Sequence, residues 1–111
     1  VSVSSRWRLL RRFVVHDESM SPTLQPGDGL IGVRSGRARA GQLRVFEHPE
    51  RPGFWMVKRV ATVGDGTMWV LSDDRSRPTV DSRRLGNIGV AGSYRVVLRV
   101  PIGARRAPPT S

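Results

Sequence analysis

The chain is expected to fold as a single, mainly β (all-β class) domain, and three observations carry that expectation. Glycine and proline punctuate the sequence roughly every ten residues. The segments between them alternate apolar and polar side chains with a period of two. No stretch sustains a long helical period. A length of 111 residues suits one domain with one modest core. Hydrophobic residues are 38% and charged residues 25% of the chain, the balance of a folded domain and not of a disordered one.

Residues 1–12 read as a basic N-terminal arm, with Arg6, Arg8, Arg11 and Arg12 set among Trp7, Leu9 and Leu10. Charge breaks its apolar stretch, which is too short for a signal-peptide core. No apolar run approaches the ~20 residues that span a bilayer. Arginine and tryptophan in the Arg6 to Arg12 cluster suit peripheral contact with an anionic membrane surface. The domain proper is expected over residues 13–100. Its strands are Arg12 to Val15, Gly29 to Arg34, Gln42 to Glu47, Phe54 to Val63, Thr67 to Ser72 and Tyr94 to Val100. Between the first two, Ser21 to Leu24 can form a helical turn with Pro22 where a missing N–H does no harm. Val63-Gly64-Asp65-Gly66-Thr67 is a hairpin signal, because Asp-Gly supplies the positive φ of a tight turn. Along Phe54 to Val63, Met56, Lys58, Val60 and Thr62 share one face, and Trp55, Val57, Arg59 and Ala61 the other. Residues 101–111, rich in Pro, Gly, Arg and Ala, read as a disordered tail.

Composition narrows the chemistry. The absence of cysteine removes disulfides and thiolate metal sites, and His16 and His48 are too few for a histidine metal centre, so no cofactor is expected. A net charge of +10 favours acidic partners. The arginines are scattered, and no basic helix or aromatic-interleaved motif organises them, so nucleic acid is not the expected partner.

Lys58 is the only lysine; the other basic residues are arginines. Arginine keeps its proton near neutral pH, whereas a buried lysine can lose it. Lys58 lies in the apolar run Trp55-Met56-Val57-Lys58-Arg59-Val60. Upstream, Ser19-Met20-Ser21-Pro22-Thr23-Leu24 precedes Pro26-Gly27-Asp28, placing a hydroxyl on a turn that Gly27 and Gly29 let double back. A serine on a turn and a desolvated amine on a strand are the parts of a Ser/Lys hydrolase dyad, since the hydroxyl needs a base to become a nucleophile. His16 has no identifiable acidic partner that would make it that base. A lysine kept without a role by a coding bias toward arginine remains the alternative at this level.

These segments resemble the S26 serine peptidases, the signal peptidase I family, and more distantly the self-cleaving LexA-type repressors. The resemblance covers about Val14 to Val100, in three boxes. Ser19 through Asp28 is the first and Val57-Lys58-Arg59-Val60-Ala61 with Val63-Gly64-Asp65 the second. Ser72-Asp73-Asp74 with Thr79-Val80-Asp81-Ser82-Arg83 and Gly86 forms the third. The resemblance implies a signal peptidase/LexA-like, β-barrel-type catalytic domain in which Ser19 is the nucleophile and Lys58 the general base. It implies supporting roles for Thr79, whose hydroxyl would orient the lysine amine, for Asp73 paired with Arg83, and for Ser82. Met20 and Pro22 would contact substrate. The third box departs from the family pattern at Ser72 and Asp74, where glycine and asparagine are usual. Asp17, followed by Glu18, stands where the family often has a glycine or serine that helps build the oxyanion hole. The substrate implied is a protein or peptide that loses an N-terminal propeptide or signal peptide. The chain looks most like the compact members of the family known as nickel-type superoxide dismutase maturation proteases, and a cytoplasmic location, with membrane association, is expected. A catalytically inactive module that holds an acidic or membrane partner through its basic surface is the competing expectation.

Overall fold

The computed structural model describes residues 9–74, 76 and 78–101. The tail at 102–111 and most of the basic arm lie outside the described residues. Among the described residues, seven strands and one short helix follow in chain order: β1 (Leu10–Val14), β2 (Gly29–Arg34), β3 (Leu43–Glu47), β4 (Trp55–Val63), β5 (Thr67–Leu71), α1 (Ser82–Leu85), β6 (Ile88–Gly89) and β7 (Tyr94–Val100). They build one sheet in the order β1-β2-β7-β3-β4-β5-β6, every pairing antiparallel. The chain is thus mainly β, as its alternation requires.

Most strand bounds match the expectation within two residues. β1 starts earlier, at Leu10, because Leu10 and Arg11 pair with Val33 and Gly32 of β2. The β4–β5 hairpin closes where Asp65-Gly66 puts it, with Gly66 at φ 69° and the Gly64 amide donating to the Thr67 carbonyl at 2.9 Å. One expectation about β4 is corrected. The register shifts between Val60 and Thr62, so the alternation breaks at Ala61. Val60 is 1% exposed, whereas Thr62 turns to solvent and does not continue the Lys58 face.

Two apolar clusters hold the sheet. Val15, Met20, Leu24, Leu30, Val45 and Tyr94 form one, with Phe13, Trp55 and Val57 packed against it. Phe46, Val60, Met68, Val70, Ile88 and Val90 form the other, joined by Met56 and Leu85. β4 feeds both, Trp55 and Val57 into the first and Met56 and Val60 into the second, as alternate residues of a doubly covered strand must. Arg44, opposite Lys58 in the β3–β4 ladder, is fully buried. Its guanidinium donates to the carbonyls of Ser35 and Arg37, to Ser93 Oγ and to Gln42 Oε1. Those bonds engage all three nitrogens of the buried guanidinium.

Candidate active site

Residues 15–28 fold back on themselves between β1 and β2. Val15 N–H donates to the Asp28 carbonyl and Gly27 N–H to the Val15 carbonyl, at 2.9 and 2.7 Å, and Gly27 takes φ 92°. The Asp28 carboxylate, 0% exposed, accepts from Gln25 N at 2.8 Å and from Arg99 Nε of β7 at 2.9 Å, stapling the turn to the sheet. The expected helical turn is a single closure, Leu24 N–H to the Met20 carbonyl at 2.9 Å, and the Ser21–Pro22 peptide is cis. Ser19 sits on this turn, and its carbonyl accepts from Asp74 N at 2.9 Å.

Lys58 reaches Ser19 from β4. Its Nζ donates to Ser19 Oγ at 2.8 Å, with the two residues 3% and 7% exposed. Burial lowers the pKa of the amine below 10.5. Asp17 and Asp81 act against that shift, and Arg83 adds to it. Both side chains open onto a cleft of about 700 Å³ whose walls include Val15, Leu30, Val45 and Val57. His16 and His48, the only histidines, line it too. Among the described residues no group of three or more His, Cys, Asp or Glu side chains could hold a metal ion.

The supporting residues are arranged differently from the expectation. Asp73 does not pair with Arg83. Arg59 claims it through two bonds of 2.9 Å, and Thr23 Oγ1 donates to the same carboxylate at 2.6 Å. Asp73 N–H meets Met20 Sδ at 3.3 Å. Asp73 thereby ties the serine turn to the strand that carries the lysine. Arg83 instead pairs with Asp81, two residues before it, at 2.8 Å. Asp81, 0% exposed, caps α1 by accepting from Arg83 N and holds Ser72 N–H at 3.0 Å. Burial alone would raise its pKa, but the hydrogen bonds from Arg83 and Ser72 outweigh this and lower it below 3.8. Ser82 Oγ accepts from Val70 N at 2.8 Å, which anchors α1 on β5.

Thr79 lines the cleft with Lys58, but its hydroxyl donates to Ser72 Oγ at 2.7 Å and not to the amine. Met20 is 0% exposed in the first apolar cluster, so the expected substrate contact is corrected: no surface of it meets the cleft. Pro22 is exposed on the far part of the turn and is not a wall of the cleft. Sequence reasoning missed Arg59, although it follows the lysine and its strand alternation turns it away from that face. It noticed Asp17 without its geometry. One carboxylate oxygen of Asp17 accepts both from Ser19 N at 3.1 Å and from Ser19 Oγ at 2.9 Å.

A family model described as signal peptidase, peptidase S26, matches residues 1–65, a span that contains both Ser19 and Lys58. No curated protein matches the chain.

Proposed function

The chain belongs to the S26 signal peptidase family, and from that premise we propose that it is a serine endopeptidase with a Ser19/Lys58 dyad that removes an N-terminal propeptide or signal peptide from a protein substrate. The observation that carries the reading is the 2.8 Å contact between a buried lysine amine and a serine hydroxyl at the floor of a cleft. Neutral Lys58 takes the Ser19 proton as Oγ attacks the scissile carbonyl. The Ser19 amide donates to the oxyanion once Asp17 leaves it. Lys58 then gives its proton to the departing amine, and water, deprotonated in turn by Lys58, hydrolyses the acyl-enzyme.

Strand edges suit an extended substrate. β5 covers β4 only from Arg59 to Val63, so Trp55 to Lys58 keep one ladder edge unpaired among the described strands. β1 is the outermost strand on its side of the sheet. Residues of both segments line the cleft, where a peptide can add as a strand. The apolar walls at Val15, Leu30 and Val45 favour small uncharged side chains near the scissile bond. Peripheral membrane contact belongs to the same proposal. Leu10, Arg12 and Val14 of β1 share a sheet face with Ile31, Val33 and Leu98, and Leu10, Val14 and Leu98 are 43%, 48% and 54% exposed. Among the described residues no helix is long and apolar enough to cross a membrane.

The test is cleavage followed by mass spectrometry. A propeptide-bearing nickel superoxide dismutase precursor and a signal-peptide substrate are each incubated with wild type, Ser19→Ala and Lys58→Ala. Cleavage of either substrate by wild type alone is expected. Equal cleavage by the Ser19→Ala protein would sink the dyad.

A further inference from the structure

The Ser19 side chain has one proton, and in this structure it points away from the lysine. Oγ accepts from Lys58 Nζ at 2.8 Å and donates to Asp17 Oδ1 at 2.9 Å. Attack on a carbonyl needs the opposite polarity, with the hydroxyl donating to the amine lone pair. The Ser19 amide, which acyl transfer needs for the developing oxyanion, is held by the same Asp17 oxygen at 3.1 Å. One carboxylate oxygen therefore occupies both the proton and the oxyanion donor of the nucleophile. Asp17 is exposed and lies on the rim of the cleft, so its side chain can swing out without disturbing either apolar cluster.

We infer that Asp17 is a positioning residue that holds this site at rest, and that a substrate carbonyl must displace its carboxylate before Ser19 can react. The inference rests on the dyad reading and adds to it a cost that every substrate meets. A residue without a side-chain acceptor at this position would leave the Ser19 amide open. The charged groups around the amine are few. Asp17 faces Lys58 from the serine turn, and Asp81 and Arg83 face it from α1 and its cap. His16 and Glu18 line the same cleft. Arg44 on β3 is committed to Ser35, Arg37, Gln42 and Ser93. Of the two acids that favour the protonated amine, only Asp17 also binds the nucleophile.

The test uses a fluorophosphonate probe and the single lysine. In labelling, a Ser19 Oγ–P bond forms, the P–F bond breaks, fluoride leaves, and the hydroxyl proton passes to Lys58. Rates are compared for wild type, Asp17→Asn, Asp17→Gly and Ser19→Ala. In parallel, protein carrying ¹⁵N-lysine gives one side-chain Nζ signal, whose titration reads Lys58 directly. Asp17→Gly is expected to label about tenfold faster or more, the worth of a charge-assisted hydrogen bond no longer surrendered, and Asp17→Asn, whose neutral amide oxygen can still accept from Ser19, to rise by less. Their Lys58 midpoint is expected to fall, because a carboxylate that favours the charged amine is gone. Asp17→Glu, which restores the charge, is expected to return the midpoint toward wild type. A labelling rate that does not rise, or a Lys58 midpoint that does not move, overturns the inference while leaving the dyad intact. If wild type and both Asp17 variants stay as unlabelled as Ser19→Ala, the dyad reading falls and this inference with it.

Discussion

Lys58 is a buried amine that, in the proposed dyad, must lose its proton to act as a base. Burial moves its pKa below 10.5, so activity is expected to rise with pH through the folded-state pKa and then level off. A profile flat from acid to alkaline pH would remove lysine from the mechanism. Lys58→Arg keeps the charge but cannot act as a base, and cleavage by it is expected to be undetectable. The same shift has a stability consequence. Between the folded pKa and 10.5 the unfolded chain binds more protons than the folded one, so stability increases as pH rises through that window. Lys58→Met, followed by urea unfolding at several pH values, is expected to flatten that slope. The pair itself was legible because chemistry dictates residue type: a lone lysine in an apolar run and a serine on a proline-stiffened turn stand out in any register. The ion pairs were not. Arg59 lies opposite Leu71 in the β4–β5 ladder, which brings Asp73, two residues on, to its guanidinium. That register depends on the bulge at Ala61, and nothing local announces the bulge.

At the level of elements, the short helix does more than its length suggests. Asp81 holds the Ser72 amide at the end of β5 while capping α1, and Ser82 holds the Val70 amide. The Arg83 partner is half exposed, so the ion pair itself contributes little. The buried amide is what matters. Asp81→Ala leaves Ser72 N–H unsatisfied and is expected to cost about 1–3 kcal/mol in urea unfolding. Because the folded carboxylate has a depressed pKa, its contribution is present above 3.8 and is lost as pH falls through the lower folded value. Wild type should therefore lose more stability on acidification than Asp81→Ala. A close strand approach gives a second prediction. A Cβ on Gly32 of β2 would sit 2.8 Å from Tyr94 Cβ on β7, so Gly32→Ala is expected to destabilise by about 1–3 kcal/mol. A melting temperature equal to wild type would show that the two strands can part at no cost. The long strands were readable from alternation and from Asp65-Gly66. A helix of four residues and a strand of two carry no period, and only their partners define them.

Across the whole molecule, the sequence reveals how much sheet there is but not its order. β7 enters between β2 and β3, so the last strand joins the first half of the chain to the second. Such pairings are set by burial shared among distant segments, which local propensity cannot encode. The insertion also decides where the exposed apolar surface lies. Ile31 of β2 pairs with Leu98 of β7 and with Arg12 of β1, so exposed Leu10, Val14 and Leu98 gather on one face with an arginine among them. Scattered exposed apolar residues need no explanation, but a gathered face beside cations fits an anionic membrane surface. The net charge of +10 adds a long-range attraction that salt weakens. Co-sedimentation with vesicles separates the two contributions. Wild type is expected to pellet with vesicles containing phosphatidylserine and to be released by high salt. It should stay in solution with purely zwitterionic vesicles. Leu10→Glu combined with Leu98→Glu changes the face without touching the dyad, and is expected to weaken pelleting by about a hundredfold or more, roughly the loss of two buried leucine side chains, while peptide cleavage stays at the wild-type rate. Pelleting that survives both substitutions would leave net charge as the whole cause and take this face out of the account.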